Sequence, residues 1–262
     1  MGNRVTVEHL KKVAHVVLNR PEAYNAFDLG MVQLLAETLI ELATDSETSG
    51  VVISGSGKAF CAGGDLGWVK AYGKSRSGAF HELAARYHQA ILEIRRMPKP
   101  VVAAINGLAA GGGFSLALAC DFRVMAASAV LKQAYTSNGL SIDGGGTYTL
   151  PRLVGMAKAL EIAAFDPAID AQTALSWGLV TEVADDGLSV ERAIDLCRQL
   201  TGGARSSFAA SKKLITDAYT TPLETQLENE RRLLSRCAAS PEGMEGVAAF
   251  LEKRKPRFNP TA

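Results

Sequence analysis

Two short apolar runs, Gly50-Val51-Val52-Ile53 and Val101-Val102-Ala103-Ala104-Ile105, each lead straight into a glycine-rich loop. No other feature limits the possible folds of this chain as much. An apolar run of four to eight residues bounded by turn residues reads as a fully buried strand. The loop that leaves it can bring backbone close to a ligand, because glycine has no Cβ to obstruct the approach. The first loop carries Lys58-Ala59-Phe60-Cys61-Ala62-Gly63-Gly64-Asp65-Leu66, and the second Asn106-Gly107-Leu108-Ala109-Ala110-Gly111-Gly112-Gly113. The second also opens a helix, whose first N–H groups lack intrahelical acceptors and lie at the positive end of its dipole. Two such N–H groups converging on one oxygen make an oxyanion hole. Taken singly, either loop is better explained by glycines serving tight turns. Neither fits the GxxxxGK or GxGxxG phosphate patterns.

The rest of the chain alternates strands with helices. Residues 5–18 read as two strands around a Lys11-Lys12 turn. Asp28 is placed to cap a helix whose apolar positions, Met31, Leu34, Leu35, Leu39 and Leu42, recur at helical spacing. A helix over residues 79–97 is stopped by Pro98, and residues 122–125 form a further strand. This alternation predicts an α/β fold. Beyond residue 190 only amphipathic helices are expected, over residues 190–200, 206–219, 223–239 and 241–253. The reading is a core over residues 1–190 that holds the site, with a helical region over residues 191–262 that packs on a neighbouring copy.

Charge and cysteines exclude several classes of function. A formal net charge of +1 argues against nucleic acid or an anionic membrane as partner. The four cysteines form no CxxC pair and no zinc-like cluster, so no metal is expected and isolated thiols suit the cytoplasm. No apolar leader opens the sequence, and no apolar run reaches the ~20 residues of a membrane span.

Five segments together carry a resemblance. Beside the two loops, with Ala104-Ile105 ahead of the second, stand Leu18-Asn19-Arg20-Pro21-Glu22-Ala23-Tyr24-Asn25-Ala26, Gly144-Gly145-Gly146-Thr147 through Leu150-Pro151-Arg152-Leu153-Val154-Gly155, and Ala174-Leu175-Ser176-Trp177-Gly178-Leu179-Val180. The chain resembles the crotonase (enoyl-CoA hydratase/isomerase) superfamily over essentially its whole length. The resemblance implies a spiral of ββα units, a C-terminal helical trimerisation region, and a homotrimer or dimer of trimers. It implies an acyl-CoA thioester substrate, with coenzyme A as part of that substrate and no separate cofactor. By position, the oxyanion donors are the backbone N–H groups of Gly64 and Gly112, and Ala62, Gly63 and Gly111 belong to the substrate-binding loops. Tyr24 stands where many relatives carry Lys or Arg near the CoA phosphates.

The reaction is narrowed by what is missing. Hydratases of the superfamily use two glutamates, and the corresponding positions here are Ser115 and Tyr135. Without those carboxylates, plain hydration lacks its acid and base. The candidate carboxylate is Asp143, whose plainer role is to cap the helix that follows. His88 is the candidate second group, and its plainer role is a histidine on an exposed or half-buried helix face. The superfamily carries an Asp at this position in its 4-chlorobenzoyl-CoA dehalogenases, as nucleophile, and in its double-bond isomerases, as proton carrier. The dehalogenases also carry His-Gln at His88-Gln89, Phe at Phe80 and Trp at Tyr135. Dehalogenation is therefore taken first, with Asp143 attacking the ring, His88 activating water, and Phe80 and Tyr135 walling the ring. Isomerisation by Asp143 is the alternative, and Gln133-Ala134-Tyr135-Thr136 resembles that branch. A non-catalytic binding homologue is the third reading.

Overall fold

The computed structural model describes residues 3–73 and 75–258. Strands β1 (Val5–Leu10) and β2 (Val13–Leu18) form an antiparallel hairpin about the Lys11-Lys12 turn, with Val5 opposite Leu18. Asp28 caps α1 (Leu29–Thr44) by accepting the Met31 N–H at 2.8 Å.

The chain then repeats one plan three times. β3 (Gly50–Gly55), β4 (Ala59–Cys61), α2 (Leu66–Ala71) and α3 (Arg76–Arg96) make the first turn. β5 (Val101–Ile105), β6 (Leu108–Ala110) and α4 (Gly112–Ala119) make the second. β7 (Phe122–Ala126), β8 (Val130–Lys132) and α5 (Gly146–Phe165) make the third. β9 (Ile169–Asp170), α6 (Ala171–Ser176) and β10 (Glu182–Ala184) follow. The first strand of each turn joins a six-stranded sheet ordered β1-β2-β3-β5-β7-β10, parallel from β2 onward. The second joins a four-stranded sheet ordered β4-β6-β8-β9. This is the ββα spiral expected from the resemblance.

Side-chain alternation explains why β5 is apolar throughout. Val101, Ala103 and Ile105 belong to the main core with Leu35, Leu39 and Ile94. Val102 and Ala104 face the other way, onto a second cluster with Val52, Val124, Ala193, Ile194 and Cys197. Successive strand residues point to opposite faces, so a parallel strand covered on both sides reads as one continuous apolar run. The cover on the second face is α7 (Ser189–Thr201). The expected division at residue 190 thus falls just inside a helix that packs on the sheet.

Helices α8 (Arg205–Asp217), α9 (Leu223–Ala238) and α10 (Pro241–Leu251) complete the described chain. No helix among the described residues is long and apolar enough to cross a membrane. The segment after α10 is tied back through Glu245, which accepts from Arg254 at 2.6 and 2.9 Å and from the Arg257 N–H at 2.6 Å. The Arg254 guanidinium holds the Glu245 carboxyl down to about 2, against an ordinary 4.5. A depressed carboxyl contributes above its unfolded value and loses that contribution as pH falls through the folded one. The Arg257 amide is therefore expected to exchange faster as pH drops from 4.5 toward 2, beyond the intrinsic pH trend. Glu245→Gln should show the faster exchange already at neutral pH. Amide exchange read by mass spectrometry checks both.

Candidate active site

The two glycine loops meet backbone to backbone. Phe27 N–H donates to the Gly63 carbonyl at 2.7 Å, and Asp65 N–H donates to the Phe27 carbonyl at 2.9 Å. Gly64 lies between those two bonds, and its own N–H has no protein acceptor among the described residues. Gly63 has φ +93°, which L side chains rarely adopt, and a Cβ there would sit 2.9 Å from the Ala110 carbonyl and 3.0 Å from the Gly112 nitrogen. Gly111, at φ +53°, caps α4 without a side chain. Gly112 is the first residue of that helix, so its N–H is one of the donors a helix leaves unsatisfied. Gly64 and Gly112 both line one cavity of about 320 Å³.

Aromatic rings hold this backbone in place. A Cβ on Gly112 would stand 3.2 Å from two ring atoms of Phe27. The Phe27 ring centroid lies 5.0 Å from that of Tyr87. The Tyr87 hydroxyl donates to the Gly112 carbonyl at 2.6 Å. Burial pushes the Tyr87 phenol well above its ordinary value, so it stays a neutral donor. Phe80 and Tyr135 line the cavity, where the resemblance had placed them. Phe27, Tyr87 and His81 line it too, and sequence reasoning named none of them. Helical spacing could have found His81 and Tyr87, which share a face of α3 with Phe80 and Ala84.

Asp143 is the one carboxylate that lines the cavity among the described residues. Its Oδ1 lies 2.6 Å from Nε2 of His88, with the carboxylate accepting. The plainer role of Asp143 is not what the structure shows, because the N-cap of α5 is Gly145 and no side chain caps that helix. His88 does sit on an exposed helix face, its side chain 49% accessible, but it is partnered rather than idle. It lies beside Asp143 without itself lining the cavity. Ser115 and Tyr135, the two positions without glutamate, are also close together. Ser115 Oγ donates to the Asp143 carbonyl at 2.6 Å and lies 3.4 Å from the Tyr135 hydroxyl. Burial pushes the Tyr135 phenol above its ordinary range. These two neutral hydroxyls therefore brace the Asp143 loop and supply no carboxylate.

The structure does not bring Tyr24 to the cavity. Its side chain is 55% exposed, and its contribution is a carbonyl that accepts the Ala62 N–H at 3.0 Å. Ala62, Gly63 and Gly111 likewise shape the loops from behind the cavity wall, which Gly64 and Gly112 form. No group of three His, Cys, Asp or Glu side chains among the described residues could hold a metal ion.

Gly112→Val tests the loop directly. The added side chain meets the Phe27 ring and moves an N–H donor. Losing one donor of this kind lowers turnover roughly 10²–10³-fold, which steady-state kinetics on a folded variant reads.

Two sheets built from a repeating ββα spiral, with N–H groups without a protein acceptor and one carboxylate on a shared cavity, define an enzyme of the crotonase class. The sequence profile of the enoyl-CoA hydratase/isomerase family matches residues 8–261. The "Probable enoyl-CoA hydratase" of Rhodobacter capsulatus is 40% identical, with 94% of each chain covered. The 1,2-epoxyphenylacetyl-CoA isomerase of Escherichia coli is 35% identical, over 96% of this chain and 97% of that one. The 4-chlorobenzoyl coenzyme A dehalogenase-2 of an Arthrobacter species is 31% identical, over 96% and 91%. A crystal structure of an enoyl-CoA hydratase from a Polaromonas species superposes with a TM-score of 0.92 at 37% identity, covering 97% and 99%. The chain belongs to the enoyl-CoA hydratase/isomerase family.

Proposed function

We propose that this enzyme isomerises an unsaturated acyl-CoA by moving a proton between two carbons. The observation that carries the reading is the placement of Asp143, the single carboxylate on a cavity shared with the N–H groups of Gly64 and Gly112. The thioester oxygen receives both N–H groups. Asp143 takes a proton from carbon, the electron pair moves onto that oxygen, and the N–H groups stabilise the resulting dienolate. Asp143 then returns the proton to the other end of the conjugated system, so no water and no oxidant enters. His88 aims the carboxylate through its 2.6 Å contact and is a positioning residue in this scheme. The isomerase named among the relatives supports this order of preference.

Hydrolytic dehalogenation of an aryl thioester stands second. The same Asp143–His88 contact favours it, since a base beside a nucleophilic carboxylate is what hydrolysis of an aryl–aspartyl ester requires. Position of His88 off the cavity wall, and relatives named for hydration and isomerisation, rank it below proton transfer. We further propose a homotrimer or dimer of trimers built through the region after residue 190. Ile215, Leu234 and Phe250 there are exposed.

Incubation with unsaturated acyl-CoAs in deuterated water tests the first reading. Exchange of α- or γ-protons, with negligible hydration of crotonyl-CoA, is the expected result. Hydration at an enzymatic rate overturns it, because Ser115 and Tyr135 cannot replace two carboxylates.

A further inference from the structure

The run Leu150-Pro151-Arg152-Leu153 has no part in the chemistry above, and Arg152 stands in an unusual place. With Arg95 and Arg123 it lines a second, small cavity of about 110 Å³ between α3, α5 and the start of β7. Four cations gather here: these three arginines and Lys212. They face one carboxylate, Asp121, which is taken up by Lys212 at 2.7 Å and by the Val101 N–H at 2.9 Å. Its nearest approach to a guanidinium is 3.8 Å, from Arg95. Arg123 spends its donors on the Leu179 and Cys120 carbonyls, at 2.6 and 2.5 Å. Arg95 donates to the Thr216 hydroxyl at 3.0 Å and to the Ala119 carbonyl at 3.4 Å. The Arg152 guanidinium stands 3.5 Å from the Tyr148 ring centroid and 4.6 Å from that of Tyr219, and it donates to the Tyr148 carbonyl at 2.7 Å.

Two donors are left over. The Nε–H groups of Arg95 and Arg152 are both buried and have no hydrogen-bond partner. A buried donor without an acceptor carries its full desolvation cost, and a buried charge is ordinarily paired. Guanidinium forks match the oxygens of carboxylate and phosphate. The space, about 110 Å³, admits a small oxyanion.

We infer that the cavity bounded by Arg95, Arg123 and Arg152 is a binding site for a single small oxyanion, separate from the acyl-CoA cavity. The anion has two conceivable sources with the same chemistry: free phosphate, or a side-chain carboxylate from a second copy of this chain. The site is independent of the reaction assigned above.

Thermal unfolding of the full chain in phosphate, against chloride at matched ionic strength, tests the inference beside the mass in solution. Wild type, Arg152→Met and Arg95→Met are compared, each read as its own phosphate-dependent increment. A free anion raises the wild-type midpoint by roughly 3–6 °C at about tenfold excess over Kd, and the increment disappears in both variants. If wild type shows no increment but is oligomeric, and both variants fall to a smaller mass, the second copy supplies the anion. An increment equal in all three proteins places phosphate elsewhere and overturns the site. No increment together with an unchanged mass overturns it as well. Should one variant not fold, the other and the wild-type comparison decide alone.

Discussion

Asp143→Asn is expected to lower turnover roughly 10²–10⁴-fold, the usual worth of a positioned acid–base group, while leaving the fold intact. The substitution keeps the shape of the side chain and its exposed pair with His88, and removes the charge. Substrate binding should change little, because the N–H groups of Gly64 and Gly112 belong to other loops. His88→Gln then separates the mechanisms. In proton transfer it misaims Asp143, and solvent exchange slows without any covalent species. In dehalogenation it blocks ester hydrolysis more than ester formation, so an arylated Asp143 accumulates and intact-protein mass spectrometry sees it. Turnover that survives Asp143→Asn at the wild-type rate removes Asp143 from both schemes.

Asp121→Ala carries the largest expected effect on stability. The carboxylate is 2.7 Å from the Lys212 ammonium, and both side chains are more than nine-tenths buried. Burial pushes the Asp121 carboxyl up and the Lys212 ammonium down from their ordinary values, and each partner opposes that push on the other. Lys212 also donates to the carbonyls of Ile94 and Lys99, which pins α8 to the core. Removing one partner of such a pair costs about 3–5 kcal/mol, or a fall of roughly 6–20 °C in the unfolding midpoint of a chain this size. The double variant Asp121→Ala/Lys212→Met should recover part of that loss, since the Lys212 ammonium is then no longer buried without its partner. Calorimetry on the three proteins measures it; equal losses in the single and double variants contradict the account.

Long elements were readable because their signals are local. Asp28 before a helical stripe announces α1, and Pro98 announces the end of α3. Strands of two or three residues announce nothing. β4 and β6 lie inside what reads as glycine loop, and β8, β9 and β10 inside irregular chain. Each is a strand because neighbours in space pair with it, and two or three residues show no period. The site divides in the same way. Gly64, Gly112, Asp143, His88, Phe80 and Tyr135 were named through motifs; five of them line one cavity, and His88 stands beside it against Asp143. Phe27 and Tyr87 were missed because their work is to press on backbone, at 3.2 Å from a Cβ position on Gly112 and 2.6 Å from its carbonyl. An ordinary buried aromatic has the same sequence signature. Tyr24 was named for standing where relatives carry Lys or Arg near the CoA phosphates; it lies exposed outside the cavity, with its carbonyl accepting the Ala62 N–H.

The donors proposed to face the substrate oxygen belong to the main chain, at Gly64 and Gly112. Every codon at those positions encodes an amide except proline's, so substitution can distort the pair but seldom delete it. The proton-handling side is different: one nucleotide change converts Asp143 to Asn, and changes at Ser115 or Tyr135 alter which acids are present. Within such a scaffold, drift erodes or rewrites the reaction far sooner than it abolishes the capacity to polarise a thioester. Descendants of this chain that keep the glycines would therefore be expected to diversify in what they do to an activated acyl group while retaining the proposed activation.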